Sequence, residues 1–111
     1  MVNYCPQKGD IVFLNFDPQS GREQAGKRPA LVISNAAYNQ KVGLAIFCPI
    51  TSNIKNYPFE VLLPSSLKTS GVILADHIKN LDWQARKATF VEKVSADVMT
   101  EVFDKIIVLI K

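Results

Sequence analysis

From Asp10 to Val94 the chain is divided into short runs of β-branched and aromatic residues, set apart by proline, glycine and polar loops; from Ser95 to Lys111 it changes to a helical period. This division restricts the fold more than any other feature. Several short strands at short spacing, then one terminal helix, specify a mainly β protein: a compact, barrel-like sheet capped by a C-terminal helix. A chain of 111 residues has room for one core, so residues 1–111 are taken as a single domain. No repeat, linker or low-complexity segment interrupts it.

The strands follow from local chemistry. Residues 10–16, Asp-Ile-Val-Phe-Leu-Asn-Phe, are apolar on both faces and stop at Asp17-Pro18, which cannot continue a central strand. A long polar loop, Gln19 to Lys27, leads to a second strand over Arg28 to Ser34. Asn35 to Gln40 is a short helical turn capped by Asn35, and Gly43 to Ile50 a third strand that Pro49 takes out of regular pairing. A second polar loop, Ser52 to Tyr57, precedes the strand Phe59 to Leu63. Gly71 to Leu81 is apolar except for Asp76 and His77, which mark a bend between two short strands. One helical turn at Asp82 to Ala85 and a last strand from Lys87 to Val94 complete the sheet, with Trp83 and Arg86 as core and rim of that turn.

In the final segment, Ser95 is an N-cap and Asp97 suits the positive end of the helix. Val98, Val102, Ile106 and Leu109 repeat at helical spacing, and so do Met99, Phe103, Ile107 and Ile110. So wide a stripe exceeds what one small sheet can cover, and a homodimer supplies the remaining contact.

Composition removes several classes of function. No apolar run approaches the roughly 18 residues of a membrane span, and the N-terminus lacks the basic-then-apolar plan of a secretory signal. The expected location is the cytoplasm, with no membrane partner. Cys5, Cys48 and the single His77 have no metal-ligand spacing, so the cysteines are expected as reduced, packed thiols and no metal or other cofactor is expected. A net charge of +3 permits a polyanionic partner without specifying one.

Residues 21–34, Gly-Arg-Glu-Gln-Ala-Gly-Lys-Arg-Pro-Ala-Leu-Val-Ile-Ser, run from a glycine-bounded polar loop through Arg28-Pro29 into an apolar strand. This arrangement holds charged side chains at the rim of a rigid sheet. Arg28 has the planar donor set that suits phosphate oxygens, although an arginine here could equally tie down the loop through an acidic neighbour. Thr51 ends the third strand with a hydroxyl that can donate to phosphate or cap a turn. Glu23 could take a proton or pair with Arg28, and Gln24 can hydrogen-bond a base edge; the alternative is a solvated loop. Asp76 is either paired or at an opening of the sheet, and His77 either transfers a proton or replaces a structural hydrogen bond. Asn53, Lys55, Asn56, Tyr57 and Phe59 combine basic, polar and aromatic groups as single-strand binders do, or simply begin the next strand.

In order along the chain, Lys-Gly-Asp-Ile-Val, Phe-Asp-Pro, Gly-Arg-Glu-Gln-Ala-Gly-Lys-Arg-Pro, Cys-Pro-Ile-Thr, Tyr-Pro-Phe-Glu-Val and Gly-Val-Ile-Leu-Ala-Asp resemble the MazF/PemK toxins of type II toxin–antitoxin pairs. The resemblance spans nearly the whole chain. It implies a dimeric SH3-like barrel, of the kind shared with CcdB-like gyrase poisons, and a sequence-specific, metal-independent endoribonuclease acting on single-stranded RNA, chiefly messenger. It further implies 2′,3′-cyclic phosphate and 5′-hydroxyl ends, and an antitoxin whose acidic, disordered tail covers the RNA groove.

By the same resemblance Arg28 and Thr51 form the catalytic pair, and Glu23 and Asp76 are the further catalytic candidates. Arg22, Gln24, Lys27, Asn53, Lys55, Tyr57, Phe59 and His77 are the expected RNA contacts. Some relatives carry histidine where this chain has Arg22, and most carry glutamine where it has His77, so roles tied to those side chains do not transfer. Two rivals remain at this level. One is a non-nuclease toxin of the same fold that binds a protein such as DNA gyrase through its helix end. The other is a non-catalytic small barrel that binds RNA or peptide.

Overall fold

The computed structural model describes residues 4–16 and 27–111, and the elements below are those of the described residues. In chain order they are β1 (Asp10–Asn15), β2 (Lys27–Val32), α1 (Ala36–Val42), β3 (Ala45–Thr51), β4 (Glu60–Leu62), β5 (Val72–Leu74), β6 (Lys79–Leu81), β7 (Thr89–Lys93) and α2 (Ala96–Ile110). The strands form one antiparallel sheet in the order β4-β5-β3-β2-β1-β7, with β6 also pairing β3. β2 begins at Lys27 and ends at Val32, one residue earlier and two residues shorter at its far end than the apolar run suggested. Ile33 still donates to Ile46 O beyond the strand. Asp82 to Ala85 forms the expected single turn, in which Asp82 Oδ1 accepts from Gln84 N and Ala85 N.

Each face of the sheet has its own core. On one, Ile11, Leu31, Cys48, Ile50, Val61 and Ile73 pack beneath Val98, Val102 and Ile106 of α2. On the other, Val12, Leu14, Ala30, Val32, Ala45 and Phe47 pack with Trp83. The strand period of two therefore supplies both cores, and near-continuous apolar strands are what a sheet covered twice requires. β1 departs from this at Phe13, which is exposed although both faces of the strand were expected to be covered.

The two end strands are not paired to each other by backbone. The Glu92 carboxylate of β7 instead accepts from Lys68 N at 3.0 Å, Thr69 N at 2.7 Å and Thr69 Oγ1 at 2.7 Å, on the loop between β4 and β5. This draws the two edges of the curled sheet together. Burial opposes ionisation of Glu92, but these donors and the Lys68 charge outweigh it and hold the carboxyl below its usual range.

The two most deeply buried polar side chains among the described residues, Asp10 and Asn39, are both hydrogen-bonded. Asn39 donates to Pro6 O at 2.8 Å and Ser34 O at 3.1 Å, and its backbone oxygen accepts from Trp83 Nε1 at 3.1 Å. Buried Asp10 pairs with Lys93 at 2.7 Å and accepts from Tyr4 and Gln7 N, fastening the N-terminal segment to β7. Both helix starts are capped as expected, Asn35 accepting from Tyr38 N and Ser95 from Val98 N. The far end of α2 leaves Ile107, Val108, Leu109 and Ile110 open to solvent.

Candidate functional site

The β2–β3 ladder runs Arg28 toward the end of β3 at which Thr51 lies, where Thr51 itself pairs with Val72 of β5. In the β2–β3 ladder Val32 faces Phe47, Leu31 faces Cys48 and Ala30 faces Pro49. Continued past its last pair, the same antiparallel register would set Arg28 opposite Thr51. Alternation places both on the face of Ala30, Val32 and Phe47. The sequence separation of the two residues carries no trace of this, because register is decided by pairing. Arg28 is exposed, and among the described residues no carboxylate forms an ion pair with it.

Thr51 is held from two sides. Its Oγ1 accepts from Asn53 N at 3.1 Å, so the hydroxyl caps the turn and keeps its own hydrogen for a further acceptor. Behind it lies Gly71, at φ 118, where an added Cβ would stand 2.2 Å from Thr51 O. Only glycine permits that approach. Gly71 was missed in the sequence because the close contact is between distant segments.

Asp76 and His77 occupy a break in the pairing of β3. Phe47 pairs with Lys79 of β6, and Ile50 with Ile73 of β5, so the residues from Leu74 to Ile78 bow out opposite Cys48 and Pro49. Pro49 has no N–H to offer there. Asp76 is largely buried, and its Oδ1 has no hydrogen-bond partner among the described residues. A buried, unpartnered carboxylate oxygen is costly unless a ligand or solvent completes it. His77 Nε2 lies 3.8 Å from that same oxygen, beyond hydrogen-bonding distance, with its ring half exposed. Burial pushes the Cys48 thiol up to about 12, with the Asp76 charge adding to it. Hydrogen bonding toward Asp76, then its charge, pushes the Tyr57 phenol above its ordinary value, though no bond to Oδ1 is formed.

The second polar loop is built rather than merely exposed. Glu60 accepts from Lys55 N at 3.1 Å and Tyr57 N at 3.3 Å, and Asn56 takes a left-handed φ of 57 between them. From α2, Lys105 Nζ donates to Pro58 O at 2.8 Å. Asn53, Lys55 and Tyr57 are thereby displayed at the surface, whereas Phe59 is half-buried and lies against Tyr57 with ring centroids 5.9 Å apart. Glu60 was not among the sequence candidates, although its place beside an Asn-Tyr-Pro turn is consistent with such a clamp.

Lys27 begins β2 and is exposed beside Arg28. Arg22, Glu23 and Gln24 lie outside the described residues. Among those described, no group of His, Cys, Asp and Glu could hold a metal ion, and no helix is long and apolar enough to cross a membrane.

Among the described residues Arg28 has no ion pair, Thr51 keeps a hydroxyl proton to give and Asp76 Oδ1 has no partner, and each of these groups suits a phosphate ester. Comparison with known proteins agrees with that class. The chain belongs to the PemK-like, MazF-like toxins of type II toxin–antitoxin systems, whose family pattern matches residues 7–110. It is 45% identical over 107 residues to the endoribonuclease toxin MazF of Escherichia coli K12, covering 96% of each chain. A crystal structure of MazF from Deinococcus radiodurans is 53% identical, with a TM-score of 0.88 over 96% of this chain and 97% of that one. A MazE–MazF structure from the same organism gives a TM-score of 0.91 at 53% identity, over 96% of each.

Proposed function

We propose that this chain is the toxin of a toxin–antitoxin pair and acts as an endoribonuclease on single-stranded RNA. The observation that supports this reading is the β2–β3 ladder, whose register, if continued past Ala30 and Pro49, would bring Arg28 opposite Thr51. The ribose 2′-oxygen attacks the adjacent phosphorus, the bond from phosphorus to the 5′-oxygen breaks, and a 2′,3′-cyclic phosphate and a 5′-hydroxyl result. Arg28 neutralises the phosphate, and the Thr51 hydroxyl donates to one of its oxygens. Asp76, or Glu23 outside the described residues, accepts the 2′-proton, and His77 serves as the acid for the leaving oxygen. These groups supply charge stabilisation and proton transfer without a metal.

Lys27, Asn53, Lys55 and Tyr57 hold the strand, with bases stacking on the exposed ring of Tyr57. Arg22 and Gln24 extend that set on the β1–β2 loop, while Phe59 supports Tyr57 from behind. We assign the chain to the cytoplasm as a single-domain homodimer, whose contact takes in the exposed apolar end of α2. Its antitoxin is expected to cover the basic RNA surface with an acidic, disordered tail.

The test is incubation of the purified protein with a long single-stranded RNA in EDTA, beside Arg28→Ala, with both ends of every product mapped. Discrete cuts at one short sequence, bearing 5′-hydroxyl ends and at least about 100-fold slower in the variant, are expected. RNA cut equally fast by Arg28→Ala would remove the proposal. Growth arrest that survives Arg28→Ala but not changes at the α2 end would favour the gyrase-type reading.

A further inference from the structure

Phe13 interrupts an otherwise buried face. It pairs with Pro29 of β2 on one side and Thr89 of β7 on the other, and is 42% exposed, whereas Ile11 on the same face is fully buried. The aromatic therefore lies where the core beneath α2 ends. Several cations lie on the segments at this end of the sheet. Lys27 and Arg28 open β2, while Arg86 and Lys87 close the turn that enters β7. Arg86 Nη1 is fixed on Asn15 O at 3.0 Å and Phe16 O at 2.9 Å, and Thr89 Oγ1 donates to Lys87 O at 3.1 Å. Neither ion pair among the described residues, His77–Asp76 or Lys93–Asp10, involves any of these cations.

An open aromatic ring on the face of β1 to which Lys27 belongs, with exposed Lys87 two residues before its partner Thr89, matches the chemistry of an unstacked base with its phosphates. A protein partner would be better matched by a broad apolar patch, and here the ring is flanked by Pro29 and Thr89. We propose that Phe13, with Lys27 and Lys87, forms a second contact surface for single-stranded RNA, distinct from the Thr51 side of the sheet. Phe13 stacks one base, and the two lysines take the neighbouring phosphates. Lys27 and Arg28, adjacent in sequence and directed to opposite faces of β2, link the two surfaces. The inference rests on the reading of the chain as an RNA-cutting enzyme and extends it to how much RNA is held.

The test is fluorescence anisotropy with 2′-O-methyl RNA strands of increasing length, which cannot be cut because the attacking hydroxyl is blocked. Wild-type protein should gain affinity as the strand lengthens. Phe13→Ala should weaken binding of the long strands by about 5- to 100-fold, and Phe13→Trp should restore it. Lys87→Ala should lower the slope of log affinity against log salt by about 0.7. Unchanged affinity of Phe13→Ala for the long strands overturns the proposal. So does a changed oligomeric state of that variant on size exclusion, which gives the strip to a contact between copies. Preferential binding of a polyglutamate peptide, lost in Phe13→Ala, would give it to an acidic protein segment and also overturn the proposal. Because no strand is cut, the result stands apart from the cleavage test: cleavage without a Phe13-dependent gain sinks only the strip.

Discussion

Gly71 shows how a residue without a functional group can set one. Its missing Cβ lets the β5 entry lie against Thr51 O, at a distance of 2.2 Å for any side chain added there. Gly71→Ala must therefore move the Thr51 backbone as well as strain a position at φ 118. A displacement near 1 Å in a reacting constellation costs about 100-fold in rate. We expect Gly71→Ala to lower kcat/KM for RNA cleavage by about 10- to 100-fold, because the added Cβ crowds both Thr51 and Ser52, where the binding loop begins. The strain itself should cost about 1–3 kcal/mol of stability. Single-turnover kinetics beside a urea titration separate the two, and undiminished turnover would show that Thr51 does not depend on this approach. Arg28 could be singled out from sequence, since a loop ending in Arg-Pro before an apolar strand already fixes its place. The pairing of Thr51, the close approach of Gly71 and the orphaned oxygen of Asp76 could not, because each arises between distant segments.

At the scale of elements, local patterns carried furthest where the period and the caps agreed. The α2 stripe and its Ser95 cap, the Asn35 cap of α1 and the bend at Asp76-His77 all follow from side chains a few residues apart. The division of the strands between two cores did not, and so the exposure of Phe13 was unforeseen. The Ser52 to Tyr57 loop makes the same point. Its composition suggested RNA contact, but its shape depends on the Glu60 carboxylate gathering Lys55 N and Tyr57 N. Those amides are near the surface, so water can replace the carboxylate at little cost in stability. Glu60→Ala is expected to leave thermal unfolding nearly unchanged, to speed amide exchange at Lys55 and Tyr57, and to weaken RNA binding several-fold through the entropy of a loosened loop. Slow exchange at both amides in the variant would mean that the loop is held by other contacts.

The whole molecule carries a pH dependence set by buried and half-buried acids with raised pKa. Cys48 is pushed up to about 12 from an ordinary value of 9.0, chiefly by burial and then by Asp76. Tyr4 is raised as well, by burial first and then by its hydrogen bond to Asp10 and that group's charge; Cys5 is raised by burial and by Asp10. For each of these groups the folded state holds a proton that the unfolded chain releases earlier. Their contribution to stability is therefore complete below the unfolded value and is lost as pH rises toward the folded one. For Cys48 that window runs from about 9 to about 12, with a slope on the order of 1 kcal/mol per pH unit. Urea midpoints measured at several pH values from neutrality to about pH 10.5 should be level up to about pH 9 and then fall. Cys48→Ala removes one of the three protons, so its decline should be visibly shallower even if its midpoint at neutral pH is lower from the lost packing. Parallel declines in the two proteins would transfer the alkaline sensitivity to Cys5 and Tyr4, in the N-terminal segment beside Asp10, and would leave Cys48 without a measurable share in it.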